Sequence, residues 1–166
     1  MFLKVRLAAV ALHGSKEALT DPANLAHAGT LKLVTGPGAG FDKVDVPYFN
    51  KHRIRYCNTP GSVAEPTAMH TVILVLTTLR RTTAAERSVR RGEWVAGGDS
   101  VANKAMGVTQ VGRTVGILGM GSIGRIVSRY LSNLGMRVIY HNRRRLSEEA
   151  AEGAEYVADF DEVHHG

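Results

Sequence analysis

Apolar residues along this chain fall into short runs divided by glycine- and proline-rich breaks, with one long apolar segment among them. Leu31-Lys32-Leu33-Val34-Thr35 reads as a short buried strand, ended by the turn cluster Gly36-Pro37-Gly38-Ala39-Gly40. Ile54-Arg55-Tyr56-Cys57 is a second β-leaning run, stopped by Asn58-Thr59-Pro60-Gly61. Ser62-x-x-Glu65 has the pattern of a capping box and predicts a long helix running to about Arg91, with Pro66 in its first turn, where a missing N–H costs least. Ala68 to Leu79 is apolar on nearly every side except at His70 and the threonines, the pattern of a helix buried from several directions, between domains or subunits. From Thr82 to Arg91 the helix turns basic and reads as a wet face.

The stretch from Gly92 to Gly112, with its lone Trp94, has little periodicity and reads as a linker or surface loop. Beyond it the pattern sharpens. Thr114-Val115-Gly116-Ile117-Leu118 has buried-strand composition, and Arg125 to Leu134 carries helical spacing through Ile126, Val127, Tyr130, Leu131 and Leu134, closed by Gly135. Arg137-Val138-Ile139-Tyr140 follows as a strand, and Glu155 to Val157 as a third. Between the first strand and the helix lies Gly119-Met120-Gly121-Ser122-Ile123-Gly124, a G-x-G-x-x-G. The motif alone is a weak signal; strand, glycines, helix and strand within about 30 residues form the context it requires.

Each glycine has a separate task. Gly119 permits the tight strand-to-helix turn, Gly121 lets a pyrophosphate approach the backbone, and Gly124 lets the helix pack closely on the strand. The helix start around Ser122 and Ile123 offers unpaired N–H groups and a partial positive charge to phosphates. At the end of the next strand, enzymes that use NAD place an acid for the ribose 2′-hydroxyl, whereas this chain has His141-Asn142-Arg143-Arg144-Arg145. Guanidinium groups bind a 2′-phosphate that a carboxylate would repel, so Asn142, Arg143 and Arg144 predict a preference for NADP(H), with NAD(H) possible. The same residues also read as an exposed basic turn.

Composition and charge narrow the alternatives. The 166 residues are 44% hydrophobic and 22% charged, the balance of a globular protein. No apolar run approaches the length of a membrane span. Cys57, the single cysteine, excludes an internal disulfide and fits a reducing compartment, while the apolar run Leu7–Leu12 is short for a signal peptide; a cytoplasmic protein is expected. The net charge of +6 invites nucleic acid, but the charge is segregated: arginines cluster at 80–81, 87–91 and 143–145, and 146–166 has none. No recognition motif with interleaved aromatics accompanies them, so neither nucleic acid nor membrane is expected as a partner.

Taken together, Gly38-Ala39-Gly40-Phe41-Asp42-x-x-Asp45-Val46, Asn58-Thr59-Pro60-Gly61, Glu65-x-Thr67-Ala68, Leu79-Arg80-Arg81, the glycine turn and Tyr140-His141-Asn142-Arg143 resemble the D-isomer-specific 2-hydroxyacid dehydrogenases. The resemblance runs from about Leu31 to Glu162 and is greatest to the fungal-type glyoxylate/hydroxypyruvate reductase-like branch. It implies an α/β protein: part of a flavodoxin-like substrate domain (1–61), then an interdomain helix and the front of a Rossmann domain with a doubly wound parallel sheet (62–166). It implies an NAD(P)-dependent oxidoreductase acting on the CH–OH group of small 2-hydroxy or 2-oxo acids, without a metal, as a homodimer at full length. Backbone around Gly38, Ala39 and Gly40 would face the substrate carboxylate. Ser122 and Ile123 would lie on the pyrophosphate, and Asn142, Arg143 and Arg144 on the adenosine ribose.

The family's catalytic arginine, glutamate and histidine match nothing here and are expected beyond residue 166, which makes the chain resemble the middle of such an enzyme, short at both ends and inactive alone. Pro66 and Met69-His70 depart from the family's pattern; His70 reads as a hydrogen-bonded core histidine rather than a base. His13, His27, His52, His164 and His165 stand in no motif. The alternative is a non-catalytic dinucleotide-binding interaction module.

Overall fold

The computed structural model describes residues 9–11, 32–36, 38–42, 44–93 and 106–165, with side chains described between 32 and 163. The run before residue 9, His13, His27, and Trp94 with most of the loop around it lie outside the described residues. The chain divides into two compact units, Met1–Val63 and Ala64–Gly166.

The first unit holds β1 (Ala9–Ala11), β2 (Leu33–Thr35), α1 (Val46–Lys51) and β3 (Arg55–Cys57). The strands form a 3-stranded parallel sheet in the order β1-β2-β3, with Val34 opposite both Val10 and Tyr56. Helix α1 was not foreseen in the sequence. It starts where the Asp45 carboxylate accepts from the Tyr48 N–H, and Pro47 sits in its first turn, where no donor is lost. The helix buries Phe49 against Val34 and Ile54, and its ring stacks on Tyr56 with centroids 6.2 Å apart.

The second unit runs α2 (Ala64–Arg80), α3 (Thr82–Arg90), β4 (Thr114–Leu118), α4 (Ser122–Asn133), β5 (Arg137–His141), α5 (Glu148–Ala151), β6 (Glu155–Tyr156) and α6 (Glu162–His165). Its 3-stranded sheet is parallel in the order β4-β5-β6, with a helix on each crossover. Parallel neighbours need such crossovers, and this is the chain path of one half of a doubly wound sheet. The core joins Ala68 and Val72 of α2 to Val127 and Leu131 of α4 and to Val138 and Tyr140 of β5.

Four expectations about α2 are corrected. The long helix is two helices, because Arg81 takes a left-handed conformation at φ 52° and breaks the ladder between α2 and α3. The capping box is not formed: the Ser62 hydroxyl donates to the Thr59 carbonyl, and Glu65 instead accepts from the Tyr130 hydroxyl of α4. His70 is exposed, not a core histidine. The all-round apolar middle resolves into one stripe, Ala64, Ala68 and Val72, buried where α2 packs along α4, while Met69, Ile73 and Leu74 are 45%, 49% and 54% exposed.

The stretch after residue 105 straps the end of α2. The Val108 N–H donates to the Leu79 carbonyl at 2.8 Å, and Gly107 lies so close to Arg80 that a Cβ there would collide with its backbone. Just past α3, Arg91 donates to the Glu93 carboxylate, whose pKa is lowered chiefly by that hydrogen bond. The pair therefore loses its contribution as pH falls through the depressed Glu93 value. Both groups stand in solvent, where screening leaves such pairs little effect.

Candidate functional site

At the end of β4 the ladder continues one residue into the turn, where the Gly119 N–H donates to the His141 carbonyl at 3.0 Å. Gly119 then takes φ +96°, a conformation that L side chains rarely adopt. Gly121 is the N-cap of α4, so no side chain covers the first N–H groups of that helix. A Cβ at Gly121 would meet nothing within 4 Å, whereas one at Gly124 would sit 2.4 Å from the Gly119 carbonyl oxygen. The three glycines thus divide into one that turns, one that opens a surface and one that closes a contact. Ser122 and Ile123 are exposed.

A helix start faced by glycine rather than by side chains fits a pyrophosphate. Beside the turn lies a cleft of about 300 Å³, lined by residues such as Val75, Val115, Ile117, Ile123 and Val127 and, among the described residues, by no charged group.

The end of β5 brings Asn142 to the turn. Its side-chain oxygen accepts from the Met120 N–H at 2.7 Å, across 22 residues of sequence. Met120 itself is buried. Arg143 and Arg144 follow, exposed. Arg145 stands over the Tyr156 ring at 5.8 Å, and the Tyr156 hydroxyl donates to the Asn142 carbonyl at 3.3 Å. His141 stacks on the same tyrosine, and its Nδ1 lies 3.0 Å from the Val157 carbonyl. Sequence reasoning named Asn142 for the ribose and missed Tyr156; a contact from the third strand leaves no local pattern.

In the first unit the loop 38–40 is tied to 58–59. Gly38 takes φ +89°, and its N–H donates to the Thr59 hydroxyl oxygen at 2.8 Å. The Thr59 N–H donates back to the Gly38 carbonyl at 2.9 Å, and Asn58 donates to the Ala39 carbonyl at 2.8 Å. Ala39 and Gly40 stand exposed on this clamped loop. Among the described residues no group of three or more His, Cys, Asp or Glu side chains is arranged to hold a metal, and no helix is long and apolar enough to cross a membrane.

Parallel strands with crossover helices and a glycine turn opening α4 define a dinucleotide-binding α/β protein. The family model described as "D-isomer specific 2-hydroxyacid dehydrogenase, NAD binding domain" matches residues 72–165, more than half of the chain. The chain belongs to the D-isomer-specific 2-hydroxyacid dehydrogenase family.

It is 42% identical to a glyoxylate reductase of Aeropyrum pernix over 136 residues, covering 80% of this chain and 40% of that one. It is 38% identical to glyoxylate reductase 1 of Saccharomyces cerevisiae over 134 residues, covering 80% of this chain and 38% of that one. Among solved structures it is similar to a glyoxylate reductase from Paecilomyes thermophila, with a TM-score of 0.71 and 29% identity over 91% of this chain and 52% of that one. The chain spans 40% and 38% of the two curated glyoxylate reductases.

Proposed function

We propose that this chain is part of a reductase of small 2-oxo acids of the glyoxylate or hydroxypyruvate type, binding NADP(H) in preference to NAD(H). The observation that carries the reading is the start of α4, uncapped and open at Gly121, with two exposed arginines at the end of the neighbouring strand. Gly121, Ser122 and Ile123 meet the pyrophosphate on a turn that Gly119 and Gly124 shape, and Arg143 and Arg144 hold the 2′-phosphate through charge-assisted hydrogen bonds. The bound nicotinamide supplies the hydride. Residues 1–61 contribute the substrate side and 62–166 the nucleotide side.

On the substrate side the roles within the loop differ. Gly38 sets the turn, since its N–H is engaged by Thr59, and the backbone of Ala39 and Gly40 meets the substrate carboxylate. Thr59 and Asn58 keep that backbone in place. No residue of this chain is assigned the proton transfer or the grip on the substrate carbonyl, so the 166 residues alone bind nucleotide without turnover. The open apolar side of α2, at Met69, Ile73 and Leu74, supports pairing of two copies in the full-length protein. Cys57, free and exposed, fits the reducing cytoplasm.

Titration of the chain with NADPH and NADH tests the reading. Saturable binding with NADPH the tighter ligand is the expected result. Equal affinities would remove the 2′-phosphate assignment of Arg143 and Arg144, and no binding of either would remove the nucleotide site. Glyoxylate-dependent oxidation of NADPH by the 166 residues would show instead that the proton-transfer group lies within them.

A further inference from the structure

The polar contacts around Asn142 form a connected path from the basic loop to the glycine turn. Arg145 stands over the ring of Tyr156, the Tyr156 hydroxyl holds the Asn142 carbonyl, and the Asn142 amide oxygen holds the Met120 N–H at 2.7 Å. Met120 lies between the turning glycine and the open one, and its side chain is 2% exposed, so its backbone has little room to shift. Next to it the Gly119 N–H is held by the His141 carbonyl. Two consecutive amides of the turn are therefore fixed from the end of β5, one by main chain and one by the Asn142 side chain. The amide oxygen is the one acceptor atom of an asparagine side chain, and here it accepts at a length that marks a well-made hydrogen bond.

We propose that Asn142 is a positioning residue for the glycine turn, with Tyr156 holding it in place, rather than a ligand of the adenosine ribose. It shapes the surface that receives the pyrophosphate, which NADH and NADPH share, and leaves the discrimination between them to Arg143 and Arg144. The inference rests on the dinucleotide reading of the site, and it separates two roles that adjacent positions in the sequence would run together.

The test measures two things on the 166-residue chain and its Asn142→Ala and Asn142→Asp variants: exchange of the Met120 amide hydrogen by NMR, and affinity for NADH and for NADPH. In Asn142→Ala the Met120 amide loses its acceptor, exchanges faster, and both nucleotides bind about tenfold more weakly, the loss of one hydrogen bond that had fixed a binding surface. In Asn142→Asp an acceptor returns, so amide protection and NADH affinity recover toward the parent values while NADPH affinity stays low beside the added negative charge. Unchanged Met120 exchange in Asn142→Ala, or a loss confined to NADPH, would overturn the inference and make Asn142 a direct ligand. If the alanine variant does not fold, the aspartate variant decides: failure to protect Met120 in a folded Asn142→Asp chain counts against the positioning role. Absence of nucleotide binding in the parent chain would sink the proposed function, while Met120 exchange would still judge the contact itself.

Discussion

At the scale of single residues, two glycines three positions apart separate folding from binding. Gly124 has no room for a side chain: a Cβ would lie 2.4 Å from the Gly119 carbonyl oxygen, which belongs to the turn and cannot swing aside. Gly124→Ala should therefore cost about 1–3 kcal/mol, the usual penalty of overpacking, read as a lower midpoint in thermal or urea unfolding. Gly121 has open space around it and φ −85°, which alanine adopts freely. Gly121→Ala should leave the midpoint where it is and weaken NADPH binding by about tenfold or more, because the methyl stands where the phosphates approach. A Gly121→Ala chain that binds NADPH as tightly as the parent would contradict the open-surface role.

Ser128 offers a third residue-scale prediction. It lies on the buried side of α4 at 2% exposure, and its hydroxyl has no hydrogen-bond partner among the described residues. Ser128→Ala removes an unsatisfied polar group and substitutes a better helix former, so it should stabilise by about 1 kcal/mol. A chain destabilised by that change would show that the hydroxyl has a partner after all.

At the scale of elements, what the sequence disclosed depended on how local the determining forces are. The run β4–turn–α4–β5 was legible because each piece carries its own mark: buried-strand composition, three glycines, a helical apolar stripe and Gly135 at the end. The break at Arg81 had no such mark, since nothing about an arginine announces a left-handed backbone. Helix α1 did leave signals, in the Asp45 cap and Pro47, but six residues are too few for a periodic stripe. His70 was misplaced because an apolar neighbourhood along the chain does not say which side of a helix is covered. Within the site, the glycines were readable and the Asn142–Met120 bond was not, because it joins residues 22 apart through folding.

Element packing also makes a prediction where α6 meets β4. A Cβ on Gly116 would fall 2.5 Å from a Val163 methyl and 2.8 Å from its carbonyl oxygen. The methyl can rotate away, but the carbonyl belongs to the helix backbone. Gly116→Ala should push α6 off the sheet at a cost of about 1–3 kcal/mol. In hydrogen-exchange mass spectrometry the 160–165 segment should lose protection while α4 keeps it; unaltered protection at 160–165 would mean that the helix accommodates the methyl.

At the scale of the whole chain, the described buried apolar residues gather into two clusters that share no member. One is built on Val34, Phe49 and Ile54, the other on α2, α4 and β5, and they fall in different compact units. The first is small, and Phe49 is its largest side chain at 1% exposure, stacked on Tyr56 and packed against Val34. Phe49→Ala removes most of that cluster's volume, a loss of about 3–5 kcal/mol in a well-packed site and a large share of any small domain's stability. Because the second cluster draws no residue from the first, the damage should stay local, and a single two-state transition should not describe the variant. Hydrogen-exchange mass spectrometry should then find the 32–58 segment exchanging fast while 114–141 keeps its parental protection, with NADPH affinity preserved. Simultaneous loss of protection in both segments would mean that the two clusters fold as one cooperative body, and that the nucleotide half depends on the substrate half for its stability.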